Sequence, residues 1–492
     1  MKWRTAAPLL AAAIIAPGCV QQQRFRFVPQ RSACFPETAA AAEVAGPPGQ
    51  KPSLDCRRSQ YKMAFIEFNE KGRLFDPRQE EAARQLLERE KENAPDGAVI
   101  TVVYIHGWKN NAAEASPGDK PKDVEKFQSA LLELGYRAKQ AAEATKARAV
   151  PVVGFYMAWR GKTLMGPDWF TFPSLWGRRN TANNIGDGPD LPRILNQLIE
   201  QTNAGNDTSR VLLVGHSFGA RVLEHAIESG TVTLYDSLPR ETFVRPRVDL
   251  VLYVNSANDS RLSMGRVQEL KQGKLRVRHP NYDPADCERP SNPADAEARA
   301  IRCRDYPLLV AITSTGDSAT KFLLPAANTI DGDDLVPGLA DRLPALPTSN
   351  EFADRAPAAK TVKKVAAGHF GFLQSHLVHE INCPVRRSSQ DRERALHPVC
   401  GEDDRNCRFI FRTFGDTPSC YQVDQRQPVD GKPPFNDTPF WIMSVEPTVI
   451  KDHGDIWNVS FLEMLAQLIA PRGFFEPRTA RVQLRADTGG AK

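Results

Sequence analysis

The sequence predicts an α/β fold in which helices flank a mostly parallel central sheet. Short, continuous apolar runs occur along the chain, and such runs are typical of strands buried on both faces. Segments with helical periodicity alternate with these runs, which is the pattern of a parallel sheet built from βα units. The 492 residues include 41% hydrophobic and 25% charged residues. This ordinary globular composition excludes collagen-like, coiled-coil and fully disordered chains.

The predicted elements follow one another along residues 61–470. Strands are predicted at 63–68, 99–105, 150–158, 211–214, 248–254, 307–312 and 440–445. Helices are predicted at 77–93, 122–146, 190–201, 218–229 and 458–469. The first of these helices has a clear start, because Asp76 is a good N-cap and Pro77 suits the first helical position.

Three segments rich in Pro, Asp and Arg interrupt this alternation, at 272–306, 325–365 and 383–438. We expect them to be insertions on the rim of one large domain, since no linker long enough to separate two cores lies between the strands. Residues 471–492 are expected to form a C-terminal tail.

The N-terminus has the outline of a signal peptide over residues 1–18. Lys2 and Arg4 precede a small apolar run, Thr5–Ile15, which is too short to span a bilayer. The run ends at Ala16-Pro17-Gly18-Cys19, which resembles the lipobox of bacterial lipoproteins. This resemblance implies lipidation of Cys19 and a location in the bacterial cell envelope, anchored to a membrane and facing the periplasm or the surface. Residues 19–60, rich in Gln, Ala, Pro and Gly, predict a tether.

The cysteine count favours an oxidising compartment. Nine cysteines are present, and without Cys19 an even number, eight, remains for disulfides. Eight cysteines allow 105 pairings. The expected pairing is the sequential one, in which each bond closes a local loop: Cys34–Cys56, Cys287–Cys303, Cys383–Cys400 and Cys407–Cys420. The alternative is a set of free core thiols in a cytosolic protein.

Charge and motif content argue against several functions. The net charge is +5 without a tight basic run, so nucleic-acid binding is not indicated. Neither a CxxC spacing nor a nucleotide-binding glycine loop occurs in the sequence, so no metal or other cofactor is expected.

The sequence Gly215-His216-Ser217-Phe218-Gly219 follows a predicted strand and precedes a predicted helix. This is the context of the G-x-S-x-G nucleophile elbow, in which the Ser has a positive φ and the glycines let neighbouring backbone approach. Upstream, His106-Gly107-Trp108 also follows a predicted strand. With these motifs the chain resembles the α/β-hydrolase-fold family of serine hydrolases over most of residues 61–470.

The resemblance implies a triad in the chain order Ser, acid, His. Ser217 is the expected nucleophile. Asp317, which leaves a late strand, is the expected acid, with Asp259 as the alternative. His453, between the last strand and the last helix, is the expected base, with His369 as the alternative.

The same resemblance implies an oxyanion hole formed by the backbone N–H groups of Phe218 and Trp108, while His106 is expected to be structural. Two further segments, 154–161 and 176–181, are similar to those of a little-characterised branch of the family. Trp159 and Arg160 in the first segment are expected to line the substrate pocket.

Two features near this pocket leave alternatives open. Trp169, Phe170, Phe172 and Trp176 form either an apolar acyl wall or a buried aromatic cluster. Arg178 and Arg179 are expected on a solvated face, with an anion clamp as the alternative.

Together these features predict a serine hydrolase that cleaves small-molecule or lipid carboxylic esters through an acyl-enzyme. The same triad also serves amidases, peptidases and thioesterases. A non-catalytic envelope protein that uses the fold for binding is the alternative from another class. Its expected sign, loss of Ser217 or His453, is not found in the sequence. No feature of the sequence indicates an oligomeric state.

Overall fold

One large sheet organises the molecule. The computed structural model describes residues 24–29, 34, 47, 50–144, 146, 148–161, 174–205, 208–229, 232–237, 243–272, 276–277, 307–325, 365–383, 397–399, 408–412, 419–426 and 438–469. The strands of this part are β1 (Arg26–Phe27), β2 (Lys51–Pro52), β3 (Leu54–Asp55), β4 (Tyr61–Phe68), β5 (Ile100–Ile105), β6 (Val152–Trp159), β7 (Arg210–His216), β8 (Tyr235–Ser237), β9 (Phe243–Pro246), β10 (Leu250–Val254), β11 (Arg276–Val277), β12 (Leu309–Ser314), β13 (His376–Ile381), β14 (His397–Val399), β15 (Arg408–Arg412), β16 (Cys420–Gln425) and β17 (Phe440–Val445). The α-helices are α1 (Pro77–Asn93), α2 (Asp123–Ala144), α3 (Ser174–Gly186), α4 (Asp190–Asn203), α5 (Phe218–Glu228), α6 (Ser260–Gln272) and α7 (Val459–Ile469).

The main sheet has 12 strands in the order β14-β15-β16-β13-β17-β12-β10-β7-β5-β6-β4-β3. The neighbours from β13 to β4 all pair in parallel, and antiparallel strands extend the sheet at both edges. The predicted α/β fold class with a mostly parallel sheet is therefore confirmed, and it is consistent with an α/β-hydrolase-like fold.

Apolar side chains fill both faces of this sheet, as two hydrophobic clusters. On one face, Leu195 of α4 and Leu223 of α5 are fully buried against the strands. On the other face, Phe127 of α2 and Phe461 of α7 are fully buried. Because both faces are covered, the central strands are apolar on both sides, which explains their continuous apolar runs. Among the helices of the described residues, none is long and apolar enough to cross a membrane.

Segment 383–438, predicted as a rim insertion, contributes strands to one edge of the sheet. Its strand β16 pairs antiparallel with β13, β15 pairs with β16, and β14 pairs with β15. The side chains from Cys420 to Val423 are buried, so this pairing covers apolar surface as well as satisfying backbone hydrogen bonds. The other two predicted insertions, 272–306 and 325–365, lie mostly outside the described residues.

The predicted Cys34–Cys56 disulfide is present. A second disulfide is described below, and the two indicate an extracytoplasmic protein. The predicted Cys287–Cys303 pair lies outside the described residues.

The second disulfide joins Cys383 and Cys420, so the predicted pairs Cys383–Cys400 and Cys407–Cys420 are wrong. The reason is the strand register. Ile381 of β13 lies opposite Cys420 of β16, which brings Cys383 beside Cys420 despite a separation of 37 residues. The expectation that each disulfide closes a short loop was wrong here, because the register of β13 and β16 determines which cysteines are neighbours.

Part of the predicted tether, residues 19–60, packs on the domain. Strand β1 pairs with β2, and β3 pairs with β4 of the main sheet. The buried Glu67 carboxylate explains the docking of β1, because it accepts hydrogen bonds from the N–H groups of Phe25 and Arg26, each at 2.8 Å. Within the predicted tether, the strands β1, β2 and β3 therefore pack on the folded body.

Candidate active site

Ser217 lies on a sharp turn between β7 and α5. Its φ of 56° and ψ of −121° are sparsely populated for a residue with a side chain. The glycines on both sides are required by packing: a Cβ on Gly215 would lie 2.5 Å from the Cα of Ala220, and a Cβ on Gly219 would lie 2.0 Å from the carbonyl oxygen of Ile105. The strand, turn and helix thus form the local geometry of a nucleophile elbow.

Backbone hydrogen bonds hold Ser217 in this conformation. The Ser217 N–H donates to the carbonyl of Val254 at the end of β10, at 3.0 Å. The Ser217 carbonyl accepts from the N–H of Ala257, at 3.1 Å, and from the N–H of Arg221, at 3.2 Å. The turn is therefore fixed from the neighbouring strand as well as from its own helix.

The structure brings together the three residues expected to form a triad. The His453 Nε2 lies 2.7 Å from the Ser217 Oγ, and its Nδ1 lies 2.8 Å from the Asp317 Oδ2. An ionised carboxylate only accepts hydrogen bonds, so the Nδ1 carries the hydrogen and the Nε2 accepts from the Ser217 hydroxyl. Asp317 is fully buried, whereas the His453 side chain is 28% exposed. This arrangement can remove a proton from Ser217 when the oxygen attacks a substrate.

Four donors surround the Asp317 carboxylate. Besides His453, these are the N–H groups of Ala319 and Thr320 on Oδ1, at 2.9 and 3.1 Å, and the Thr320 hydroxyl on Oδ2, at 2.6 Å. Burial opposes ionisation, but the hydrogen bond and charge of His453, together with Thr320, outweigh it and lower the pKa of Asp317 below its ordinary value. Asp317 is therefore ionised at neutral pH.

The main chain of His453 is anchored by two side chains that the sequence analysis did not assign to the site. The His216 Nε2 lies 2.7 Å from the His453 carbonyl oxygen, and the Asn255 Nδ2 lies 3.2 Å from it. Burial lowers the pKa of His216 to about 3, so this imidazole is neutral and donates through Nε2–H. Asn255 also accepts from the N–H of Ser314 at 3.0 Å.

The backbone conformation of Asn255 marks it as a special position. Its φ is 46°, and Asn is one of the few residues other than Gly that adopt positive φ readily. A sequence pattern does not reveal such a conformation in advance, because it depends on where the strand ends.

The two expected oxyanion donors, Phe218 and Trp108, each follow a residue that lies at the Ser217 turn or against it. Phe218 is the first residue of α5, and N–H groups in the first turn of a helix have no acceptor within the helix. Trp108 follows Gly107, where a Cβ would lie 2.7 Å from the Ser217 Cβ. The turn after β5 therefore lies directly against the candidate nucleophile.

Two backbone hydrogen bonds fix this turn against the end of β6. The Lys109 N–H donates to the Gly161 carbonyl at 2.9 Å, and the Gly161 N–H donates to the Asn110 carbonyl at 3.0 Å. The path of the chain through Trp108 is thus set by its neighbours. Whether its N–H binds an oxyanion stays a prediction.

His106 and Trp159 form a buried pair beneath this turn. The Trp159 N–H donates to the His106 Nε2 and the Trp159 indole N–H donates to the His106 carbonyl, both at 3.0 Å. Burial lowers the pKa of His106 to about 4. Both side chains are almost inaccessible, with Trp159 3% exposed. These contacts favour a structural role for His106, and they place Trp159 in the core; its role in a pocket stays a prediction.

Arg160 and Arg178 share one partner. Both guanidinium groups contact the Glu70 carboxylate, and the Arg178 Nη1 donates to the Arg160 carbonyl at 2.8 Å. Arg178 is 5% exposed, so the expectation that it lies on a solvated face is wrong. It is buried because Glu70 and the Arg160 carbonyl provide the acceptors that its charge requires. The pocket role of Arg160 is untested.

The alternative acid and the alternative base have other hydrogen-bond partners. Asp259 forms a buried ion pair with Arg261, with the Nε and Oδ1 atoms 2.8 Å apart. His369 contacts Thr320, its Nε2 lying 2.9 Å from the Thr320 Oγ1. The structure thus joins Ser217 to Asp317 through His453 rather than through either alternative.

Several expected features lie outside the described residues. These are Cys19, Trp169, Phe170 and Phe172. In the described part of the chain, no three His, Cys, Asp or Glu side chains are grouped as metal ligands would be.

Comparisons with known proteins add no further assignment. No protein-family model, no curated protein and no solved structure matches this chain.

Proposed function

We propose that this chain is a serine hydrolase of the α/β-hydrolase family that cleaves carboxylic esters. One observation carries the proposal: the Ser217 Oγ lies 2.7 Å from the His453 Nε2, while the His453 Nδ1 lies 2.8 Å from the Asp317 Oδ2. A nucleophile, a base and an orienting group in hydrogen-bond contact are the signature of an activated serine. The strained turn at Ser217 adds support, because such strain is concentrated at functional positions.

The proposed reaction has two halves. In the first, the Ser217 oxygen attacks the ester carbonyl while His453 accepts its proton, and Asp317 stabilises the imidazolium. The tetrahedral oxyanion is stabilised by the N–H groups of Phe218 and Trp108; one such donor is typically worth about 3–4 kcal/mol in the transition state. His453 then returns the proton to the leaving alcohol, and the acyl group remains on Ser217. In the second half, His453 takes a proton from water, whose oxygen attacks the acyl carbonyl. His453 then returns this proton to the Ser217 oxygen as the bond to the acyl group breaks and the acid is released.

We further propose that the chain is a lipoprotein of the bacterial cell envelope, anchored through Cys19. The disulfides support an extracytoplasmic location. Cys19 lies only five residues before Arg24, which contacts Asp76 of the folded body. A lipid on Cys19 would therefore hold Arg24 within roughly 18 Å of the bilayer, since an extended residue spans at most about 3.6 Å.

The decisive experiment labels the wild-type protein with a fluorophosphonate, which reacts with activated serines. We expect labelling of the wild type and of Ser129→Ala, a control at an exposed helix position, and none of Ser217→Ala. A series of p-nitrophenyl esters of increasing acyl length then measures turnover and substrate size. Matched anilides and thioesters distinguish an esterase from an amidase or a thioesterase. Full labelling of Ser217→Ala, or a folded wild type that neither labels nor turns over, would reject the proposed function.

The base is tested separately. His453→Ala should remove turnover as completely as Ser217→Ala, because members of a triad act as one unit. His379→Ala is the matched control, since this side chain lies on β13 and is 38% exposed. If His369→Ala were inactive while His453→Ala stayed active, the assignment of the base would be wrong.

A further inference from the structure

A second histidine approaches the Asp317 carboxylate through a threonine. His369 ends a short 3-10 helix, Ala367–His369, that packs on β12; a Cβ on Gly368 would lie 2.0 Å from the Thr313 Oγ1. The His369 Nε2 lies 2.9 Å from the Thr320 Oγ1, which lies 2.6 Å from the Asp317 Oδ2. Thr320 is 1% exposed. These contacts form a continuous hydrogen-bonded chain behind the acid of the candidate triad.

The direction of every hydrogen in this chain follows from the chemistry of the groups. An ionised Asp317 can only accept, so the Thr320 hydroxyl must give its single hydrogen to Oδ2. The Thr320 oxygen is then an acceptor toward His369, and the His369 Nε2 must carry a hydrogen. The same Oδ2 atom also accepts the Nδ1–H of His453. Two imidazoles therefore donate, one directly and one through a hydroxyl, to the same carboxylate oxygen.

We infer that Thr320 and His369 are positioning residues that hold Asp317 and reduce the negative charge its Oδ2 offers to His453. The inference rests on the proposed serine-hydrolase function. Hydrogen bonds in such a chain polarise one another, so the imidazole strengthens the donation from the Thr320 hydroxyl. A carboxylate oxygen that is shared in this way attracts a protonated His453 less strongly. The chain thus favours the neutral imidazole that the attack by Ser217 requires.

The electrostatic surroundings of His369 fit this role. Burial lowers the pKa of His369, and Lys321 acts in the same direction, while Asp317 opposes both. His369 is therefore neutral near pH 7 and acts as a dipole donor rather than as a second cation beside His453. Its segment is held in place independently, because the Gln374 Nε2 donates to the Gly368 carbonyl at 2.6 Å.

The test uses variants that remove or restore single donors. Thr320→Val removes the hydroxyl while keeping the shape, and Thr320→Ser restores the hydroxyl. His369→Phe removes the ring N–H, and His369→Gln restores an N–H donor near the position of Nε2. His379→Phe on β13 is the matched control for loss of a histidine. For each variant, kcat and KM on a p-nitrophenyl ester are measured from pH 5 to 9.

We expect Thr320→Val to lower kcat about tenfold, because Asp317 loses a donor that holds it in place and orients His453 less well. KM should change less than twofold, since binding of the ester does not involve this chain. The acid limb of its pH profile of kcat should move to higher pH by roughly half a unit to one unit, because a carboxylate with one donor fewer attracts protonated His453 more strongly. His369→Phe should shift the limb in the same direction by a smaller amount. Thr320→Ser and His369→Gln should return both quantities toward the wild type.

Two results would overturn the inference. One is an acid limb unmoved in both Thr320→Val and His369→Phe. The other is a loss of kcat that Thr320→Ser and His369→Gln do not repair, since this would reflect structural damage alone.

A readout without turnover separates this inference from the proposed function. In protein with isotope-labelled histidines, the Nδ1–H signal of His453 reports its hydrogen bond to Asp317. This signal should shift in Thr320→Val and keep its wild-type position in His379→Phe. If the wild type hydrolyses no ester but this shift is present, the positioning role stands and the proposed function fails. If the wild type is active and neither the signal nor the acid limb moves, the proposed function stands and the positioning role is rejected.

Discussion

Replacing Ser217 by glycine and by alanine measures the backbone strain at the turn. Its φ of 56° and ψ of −121° lie in a region that glycine enters readily and that a Cβ disfavours. Neither replacement has a hydroxyl, so both lose the contact with the His453 Nε2 equally. The difference in unfolding free energy between the two variants therefore isolates the effect of the Cβ.

The magnitude follows from two opposing effects. A residue held in a sparsely populated region of φ and ψ costs of order 1–3 kcal/mol, and glycine removes that cost. Glycine also has greater freedom in the unfolded chain, which destabilises its folded state by roughly 0.5–1 kcal/mol relative to alanine. Ser217→Gly should therefore be more stable than Ser217→Ala by up to about 2.5 kcal/mol.

The assay is urea unfolding of both variants, with the slope against denaturant checked for equality. Ser129 on α2 supplies the matched control, because it is exposed in a regular helix. There Ser129→Gly should be less stable than Ser129→Ala by about 1 kcal/mol, which is the ordinary helix penalty of glycine. If glycine is as unfavourable at position 217 as at position 129, the turn stores no strain and the reasoning fails.

Three other predictions concern stability, disulfides and anchoring. Burial raises the pKa of Glu224 to about 7. The folded chain therefore keeps a proton that the unfolded chain releases near pH 4.5. The free energy of unfolding should fall by about 3 kcal/mol as pH rises between these two values. Glu224→Gln should remove this slope in unfolding experiments at pH 4.5, 6 and 8, and an unchanged slope would refute the assignment. Peptide mapping without reductant should recover Cys383 linked to Cys420, whereas recovery of either cysteine with another partner would contradict the register of β13 and β16. Cys19→Ser should move the protein out of the membrane fraction, and a variant that stays there with the wild type would reject the lipid anchor.

The fold class followed from the sequence where burial makes a strand apolar on both faces. Strand β12 illustrates this, since all of its side chains from Leu309 to Ser314 are buried. Helix α6 was not predicted for the opposite reason. Several side chains of its first two turns are buried although they are polar, and they obscure the apolar period; Arg261, Ser263 and Arg266 are examples. They are tolerated there because acidic partners outside the helix satisfy them, among them Asp259 for Arg261.

The candidate site also contains residues that the sequence predicted and residues that it did not. Ser217 lies in a local motif, so five consecutive residues were enough to identify it as the expected nucleophile. Thr320 has no such signal, because its role depends on His369, which lies 49 residues away. In the sequence alone, Thr320 cannot be distinguished from a solvated loop residue, because its contact with the segment of His369 forms only in the folded chain. Contacts between distant segments therefore account for the part of the site that the sequence did not predict.

Strand β10 lies between β7, which precedes Ser217, and β12, which precedes Asp317. It contributes neither residue, but it determines the distance between them. Parallel neighbours end at one edge of a sheet, so Asn255 after β10 lies between Ser217 after β7 and Ser314 at the end of β12. With a φ of 46°, Asn255 turns its amide so that Oδ1 accepts from Ser314 N–H at 3.0 Å while Nδ2 donates to the His453 carbonyl at 3.2 Å. Aspartate would lack the donor, and glycine would lack both groups. The geometry at this position therefore requires the amide side chain of asparagine, because one residue must connect the end of β12 and the main chain of His453 to the end of β10.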